Sequence, residues 1–197
     1  MRSRRILILL VLSLCSACAA ERTQQQRSIR LVPIGVVSAD LIVHLQGEIR
    51  AAFGREVTIG TALPLPAAAY DGSRHQYLGS ALLEHLGNSD DDGAERVIGV
   101  IDADAYAPGL NFIFGQATKP GRFAVVALPR LRESFRGRPE DPVRFRARVV
   151  KVTVHELRHS FGFAHCETDR CVMSFARSVG DVDRQDAHFC EGERQLK

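Results

Sequence analysis

The sequence predicts a mixed α/β fold, in which a mostly parallel sheet of five strands is covered by helices. Short apolar segments alternate with amphipathic segments in the first half of the chain, which is the order that joins parallel strands through helices. Two further apolar segments follow each other across a short turn, as in an antiparallel hairpin. The 197 residues are enough for one domain with a sizeable core.

The first three elements follow from aliphatic runs and helix-ending signals. Residues 29–37 are rich in branched aliphatic side chains and predict a buried strand. A helix is predicted to begin at Asp40 and to end at Gly54, because glycine readily takes the left-handed conformation that closes helices. A second strand is expected at residues 57–61, and two prolines make residues 63–69 irregular.

The middle of the chain supplies a second helix and the rest of the sheet. Helical spacing at residues 73–86 predicts the helix, and residues 96–101 predict a third strand. Residues 111–117 and 122–128 are predicted to form a hairpin joined at residues 119–121. The order implies parallel pairing at the helical crossovers and antiparallel pairing at the hairpin edge.

A long helix then begins with Asp141 as its cap and Pro142 in its first turn. Apolar residues recur along it at alternating spacings of four and three. This stripe consists of Val143, Ala147, Val150, Val154, Leu157 and Phe161. Such a stripe predicts that the helix packs on the sheet, and the residues with chemical potential lie near its end.

The pattern His-Glu-x-x-His lies on this helix at His155, Glu156 and His159. Histidines four positions apart leave the same helix face and can bind one ion. His165 would point away if the helix continued, so the helix must end before it. Gly162 is suited to end it, because glycine tolerates positive φ. We therefore expect the three histidines to bind a catalytic zinc.

Three neutral imidazoles leave one coordination position of zinc open, which lowers the pKa of a metal-bound water to about 7. Glu156 would accept the proton of this water as it attacks a peptide carbonyl. The predicted activity is therefore that of a zinc-dependent peptidase. The alternative is an inactive zinc protein that binds peptides in the cell envelope, but no structural zinc site requires Glu156.

Met173 follows His165 by eight residues. Further residues between and after these two complete a specific pattern, namely Cys166, Cys171, Val172, Phe189 and Cys190. With upstream segments at residues 64–77 and 110–115, this sequence resembles the archaemetzincin family of metallopeptidases, which belongs to the metzincin clan. The resemblance covers roughly residues 30 to 190. Met173 would then form an apolar floor under the metal, although an ordinary core methionine is the alternative.

The resemblance implies a metzincin-like mixed sheet, an active-site helix with Glu156 as base, and a small C-terminal part that binds a second zinc through four cysteines. Glu193 stands where the family has the last of these cysteines. Cys166, Cys171 and Cys190 can still hold a structural zinc with a nitrogen or oxygen as fourth ligand. Two of them can instead form a disulfide in an oxidising compartment. We favour the metal, because a disulfide leaves one thiol over.

A second departure from the family is Arg158, where glycine is usual. It lies on the flank of the helix face that presents His155 and His159. We expect its charge to narrow the cleft or to alter substrate preference.

The N-terminus predicts export. Residues 1–5 contain three arginines, residues 6–14 are almost entirely aliphatic, and small residues follow. This apolar run is about half of the ~20 residues that a membrane span needs. We expect a signal peptide at residues 1–19, removed near Ala19 or leaving a lipid on Cys18 as a membrane tether. The protein would then be periplasmic or a cell-envelope lipoprotein of a bacterium.

The remaining chain is expected to form one metallopeptidase domain at residues 28–197, with an upper sheet and helix part at 28–162 and a lower cysteine-containing part at 163–197. Its charge is balanced, because removing three arginines from 26 basic residues leaves 23 against 23 acidic ones. A neutral chain gives no footprint for nucleic acid. The expected partner is a peptide or protein substrate, and a monomer is expected.

Overall fold

The computed structural model describes residues 28–89, 93–168 and 170–187. The strands are β1 (Ser28–Ile34), β2 (Glu56–Ile59), β3 (Tyr70–Asp71), β4 (Gln76–Leu78), β5 (Arg96–Ile101), β6 (Ala105–Tyr106), β7 (Gly115–Ala117) and β8 (Phe123–Ala127). The helices are α1 (Ala39–Phe53), α2 (Gly79–Asn88), α3 (Pro142–Ser160) and α4 (Val179–Arg184).

The main sheet has the strand order β2-β1-β5-β8-β7. Strands β2, β1, β5 and β8 are parallel, and β7 pairs antiparallel with β8. The predicted five-stranded, mostly parallel sheet with a hairpin at one edge is therefore confirmed. The sequence did not predict the second, three-stranded sheet, which has the order β3-β4-β6.

The helices cover both faces of the main sheet and form two cores. Helices α1 and α3 cover one face, where Leu45 and Leu157 pack with Leu31 of β1. Helix α2 covers the other face, where Leu86 packs with Ile34 of β1. Side chains of one strand thus enter opposite cores, because successive residues of a strand point to opposite faces.

Helix α3 begins as the sequence predicts. The Asp141 side chain accepts a hydrogen bond from the backbone nitrogen of Arg144 at 3.0 Å, and Pro142 occupies the first turn. The apolar stripe is wrong at its start, because Val143 is 80 % exposed and Ala147 is also exposed. The helix is buried only from its middle onward, so its first turns extend beyond the core.

Residues 73–86 were predicted as one helix, but the helix begins only at Gly79. Tyr77 instead pairs with Tyr70 of β3 and with Ala105 of β6. The two tyrosine rings lie 5.1 Å apart. Pairing with two strands occupies the backbone of β4, so tertiary contacts override the helical spacing of the side chains.

The predicted strand at residues 111–117 is regular only from Gly115 onward. Before that point Ile113 forms a single bridge with Ala105, outside the main sheet. The segment therefore leaves the sheet edge and runs toward the small sheet.

The loop after α3 returns to the core that α1 and α3 share. Val172, Met173 and Val182 are fully buried members of it. The predicted signal peptide with Cys18, and also Cys190, lie outside the described residues. In the part of the chain that the structure describes, no helix is long and apolar enough to cross a membrane.

Candidate metal and catalytic site

Three histidines meet at the C-terminal end of α3. His155 and His159 leave the helix one turn apart, and each of the three residues offers a ring nitrogen within 4.8 Å of the other two. Nε2 of His159 lies 3.1 Å from Nε2 of His165. Two nitrogens bound to a tetrahedral zinc at ~2.0–2.1 Å are about 3.3 Å apart. The donor set and its spacing therefore fit one zinc ion.

A turn directly after α3 brings His165 back to the other two histidines. Helix α3 ends at Ser160, and Gly162 has φ of 98°, a conformation that disfavours any side chain. The backbone nitrogen of Gly162 donates to the carbonyl oxygen of His159 at 2.9 Å. The structure thus places Gly162 at the reversal that the spacing of the histidines requires.

Two backbone carbonyl groups orient the imidazoles. Nδ1 of His155 lies 2.8 Å from the oxygen of Val172, and Nδ1 of His159 lies 2.7 Å from the oxygen of Phe163. A carbonyl oxygen can only accept, so each Nδ1 carries the proton and each Nε2 presents its lone pair to the site. No residue type in the sequence signals these two carbonyls, because every residue has one.

Burial keeps the histidines neutral, which is the form that binds metal. Burial lowers the pKa of His155 to about 3. It also lowers the pKa values of His159 and His165. The ring of Phe175, whose centroid lies 4.9 Å from that of His165, covers part of this third ligand.

Glu156 lies beside the histidines and lines the same cleft, with 7 % of its surface exposed. Burial raises its pKa to about 8. A β-carbon on Gly115 would lie 2.5 Å from Cγ of Glu156 and 2.7 Å from the carbonyl oxygen of Val125. Only glycine leaves room there. In the sequence, the only sign of this contact is that Gly115 lies within a predicted strand, where a glycine often marks a close approach of another group to the backbone.

The histidines and Glu156 open into a cleft of about 680 Å³. We call residues 110–117 the upper rim and residues 175–185 the lower wall. Most of the lining is apolar, which suits side chains of a peptide. The apolar contributors include Phe112, Ile113, Phe114, Val152, Phe175, Ala176 and Val182.

The upper rim is held from behind by polar side chains of the small sheet region. Nη2 of Arg74 donates to the carbonyl oxygens of Leu110 and Asn111 at 3.2 and 3.1 Å. Nε2 of Gln76 donates to the Asn111 oxygen and to Asp104, both at 2.9 Å. Arg74 and Gln76 thus support the rim from behind.

The lower wall is tied to α3 by Arg148, whose side chain is 2 % exposed. Its Nε and Nη2 donate to the carboxylate of Asp183 at 2.6 and 2.7 Å, and its Nη2 lies 2.6 Å from Glu133. Its Nη1 also donates to the Leu131 oxygen at 2.9 Å. Lys151 of the same helix donates from Nζ to the backbone oxygens of Val182 and Asp183 at 3.0 and 3.2 Å, so Arg148 and Lys151 together position the buried end of the lower wall.

The predicted floor and two of the predicted cysteines lie on the loop below His155. Met173 is fully buried and directly follows the residue whose carbonyl holds His155. The backbone nitrogen of Cys166 donates to the Met173 oxygen at 2.9 Å, and Cys171 is buried nearby. Among the described residues only the three histidines form a group of three or more metal-ligating side chains, and Cys190 lies outside those residues.

Arg158 is fully buried and does not line the cleft. Its guanidinium carbon lies 3.5 Å from the centroid of the Phe163 ring. The expectation that its charge narrows the cleft is therefore wrong, because the side chain packs behind the turn after α3. An effect on substrate preference stays a hypothesis.

A family model, that of peptidase family M54, matches residues 46–196. The chain belongs to peptidase family M54. It is 38 % identical over 177 residues to the archaemetzincin of Thermococcus kodakarensis, a match that covers 86 % of this chain and 95 % of the relative. The archaemetzincin of Methanopyrus kandleri is 48 % identical over 126 residues, which cover 64 % of this chain and 68 % of the relative.

Solved structures of similar peptidases have the same fold. The crystal structure of the Methanopyrus kandleri archaemetzincin matches with a TM-score of 0.75 and 38 % identity, covering 86 % of this chain and 92 % of that one. A zinc-dependent peptidase from Methanocorpusculum labreanum matches with a TM-score of 0.76 and 27 % identity, covering 83 % and 96 %. The predicted resemblance and fold class are confirmed, and the protein is a zinc metallopeptidase of the M54 family.

Proposed function

We propose that the protein hydrolyses peptide bonds in the cleft, with zinc on His155, His159 and His165 and with Glu156 as general base. One observation carries this proposal. Three imidazoles present their Nε2 atoms to one point, and a buried carboxyl group lies beside them in the same cleft. A structural metal site would require the imidazoles but not the carboxyl group.

Zinc bound there would supply a Lewis acid that polarises the peptide carbonyl and lowers the pKa of a water molecule. Glu156 accepts the proton of the attacking water and then donates it to the leaving amine. With its pKa near 8, Glu156 holds a proton at neutral pH when no metal is bound. The charge of the ion favours the ionised carboxylate, which is the form that can accept a proton.

The substrate is held by the upper rim. Strand β7 is the last strand at its end of the main sheet, so its outer backbone groups can pair with an extended peptide. Gly115 begins this strand and also touches Glu156, so the pairing places the peptide backbone beside the base. The apolar lining of the cleft accepts the side chains.

Below the site, we propose Met173 as the apolar floor and a second, structural zinc on Cys166, Cys171 and Cys190. The support is that Cys166 and Cys171 share the loop that positions His155. The zinc content of the purified protein tests this proposal. Two zinc ions per chain, falling to one in Cys166→Ser, support it, whereas one zinc and a disulfide contradict it.

We also propose that the chain is exported and acts in the cell envelope, on the sequence pattern of residues 1–19 alone. Mass spectrometry of the mature N-terminus tests this. A chain beginning near Ala20, or a lipid on Cys18, supports export, and an intact Met1 contradicts it.

The decisive experiment compares Glu156→Ala with wild type in zinc content and in hydrolysis of a broad peptide library. We expect Glu156→Ala to bind zinc normally and to lose about 10²- to 10⁴-fold in kcat, the usual contribution of a general base. His165→Ala should lose both zinc and activity. Glu84→Ala, which removes an exposed carboxylate on α2, is the matched control.

Turnover that survives in Glu156→Ala would exclude Glu156 as the base. If zinc-loaded wild type cleaves no peptide of the library but still binds peptides, the protein is a peptide-binding module and the proposed function is wrong.

A further inference from the structure

We infer that the cleft selects peptides with a carboxylate near the scissile bond, and that Lys119 and Arg177 bind this carboxylate. The inference deepens the proposed peptidase function and rests on it. Both residues line the cleft, both are exposed, and they lie on different elements. Neither residue belongs to the pattern of histidines and Glu156, so both can affect substrate choice without affecting zinc binding.

The charges that line the cleft are unbalanced. Apart from the histidines, the charged residues that line it among those the structure describes are Lys119, Glu156 and Arg177. Glu156 is the proposed base, so it is not available as a fixed counter-charge. In the part of its lining that the structure describes, the cleft therefore offers two cationic groups to a substrate and no carboxylate besides Glu156, although the chain without its first 19 residues is neutral.

Lys119 is placed by the turn of the β7–β8 hairpin. Thr118 and Phe123 close this turn, since the Thr118 backbone nitrogen donates to the Phe123 oxygen at 2.9 Å. The backbone nitrogen of Gly121 donates to the oxygen of Ser160 at 3.0 Å, which ties the turn to the last residue of α3. The turn is thus fixed next to the histidines. The Lys119 charge is also one of the causes that lower the pKa values of all three histidines.

Arg177 lies on the lower wall, directly after Phe175 and Ala176. Its backbone nitrogen donates to Oδ2 of Asp181 at 2.9 Å. Asp181 also accepts from Ser178 and pairs with Arg184, so its oxygens are already engaged. Within residues 28–89, 93–168 and 170–187, the Arg177 side chain has no ion pair.

A peptide carboxylate suits this arrangement better than a phosphate of a nucleic acid does. Most of the remaining lining is apolar, with several aromatic side chains, and the zinc site lies in the same cleft. Such a surface accepts an extended chain whose side chains are mixed apolar and acidic. Arginine and lysine at the edges then add electrostatic preference at a modest, salt-dependent strength.

The test uses zinc-loaded protein and peptide pairs that differ only by Glu or Gln at each position flanking the cleaved bond. A second arm compares the Gln peptides with free or amidated C-termini, which separates a side-chain carboxylate from a terminal one. We expect wild type to prefer at least one carboxylate-bearing peptide by about fivefold in kcat/KM, with the preference shrinking in high salt. Lys119→Gln or Arg177→Gln should remove it, and Arg146→Gln, an exposed cation on α3 outside the cleft, should keep it.

Binding of the same fluorescent peptides to Glu156→Ala provides a readout that needs no turnover. Cleavage of Glu and Gln peptides at equal rates would overturn the inference and leave the peptidase proposal intact. If the protein binds Glu peptides more tightly than Gln peptides but cleaves neither, the carboxylate inference stands and the peptidase proposal is wrong. A preference that persists in Lys119→Gln, Arg177→Gln and the double variant would show that other groups bind the carboxylate.

Discussion

The upper rim of the cleft belongs to the sheet, whereas the lower wall is a loop followed by a helix of six residues. The rim pairs with β8 through backbone hydrogen bonds, and Arg74 and Gln76 hold its outer part. Among the described residues the lower wall pairs with no strand. Its helix is attached to α3 by the ion pair of Arg148 with Asp183 and by hydrogen bonds from Lys151 to the backbone oxygens of Val182 and Asp183.

The difference separates two tasks. The rim touches Glu156 directly through Gly115, so its shape decides whether the base is aligned. The lower wall contributes Phe175, Val182 and other lining residues, so its shape decides how well a substrate is accommodated. Changes where the rim touches Glu156 should mainly lower turnover. Changes in the supports behind the rim and the lower wall should mainly affect substrate binding and stability.

The largest expected effect is at the lower wall. Arg148→Met should lower the free energy of unfolding by about 3 kcal/mol, because it leaves the buried Glu133 without its nearest partner and removes the ion pair that joins α4 to α3. Urea denaturation of the zinc-loaded protein measures this, and KM should rise in parallel. Arg146→Met, an exposed cation on the same helix, is the control. Equal stability of the two variants would show that Arg148 does not hold the lower wall.

At the rim, Gly115→Ala should lower kcat about 100-fold, because a new β-carbon would displace the Glu156 side chain by a distance that matters for proton transfer. Zinc content should stay at the wild-type level, since the histidines are not touched. Gly47→Ala on α1, where a β-carbon would meet nothing within 4 Å, is the control. A normal kcat in Gly115→Ala would mean that the rim does not align the base.

The smallest expected effect concerns the support behind the rim. Arg74→Met removes two hydrogen bonds to backbone oxygens, and KM should rise about fivefold with kcat little changed. Steady-state kinetics with one good peptide measures the two constants separately. Arg55→Met, which breaks an ion pair next to β2 at the far edge of the sheet, should leave both unchanged. A fall in kcat with an unchanged KM would show instead that Arg74 helps to align Glu156.

Sequence periodicity predicted the parts of the fold that depend on one segment at a time. The main strands, α1 and α3 follow from aliphatic runs, and the spacing of His159 and His165 required the turn at Gly162. These features are local, because each depends on residues within a few turns. The same logic failed at Tyr77, whose partners Tyr70 and Ala105 are brought to it only by the tertiary fold.

The parts of the site that the sequence did not show are relations between distant segments or backbone atoms. The contact of Gly115 with Glu156 joins a strand to a helix, and the support of Leu110 by Arg74 spans 36 residues. Neither contact leaves a periodic pattern. Arg158 shows the opposite error, because its position on the helix suggested the cleft and its side chain packs on Phe163 instead.

The carbonyl groups of Val172 and Phe163 have a consequence for how this enzyme can vary. The two groups that aim the ligands at the metal belong to the main chain, so no codon change deletes them. Alanine scanning of this loop would remove side chains and leave both acceptors in place. Substitutions at these two positions therefore keep both acceptors as long as the loop keeps its path, and a screen based on side-chain replacement would overlook these two hydrogen bonds to the ligands.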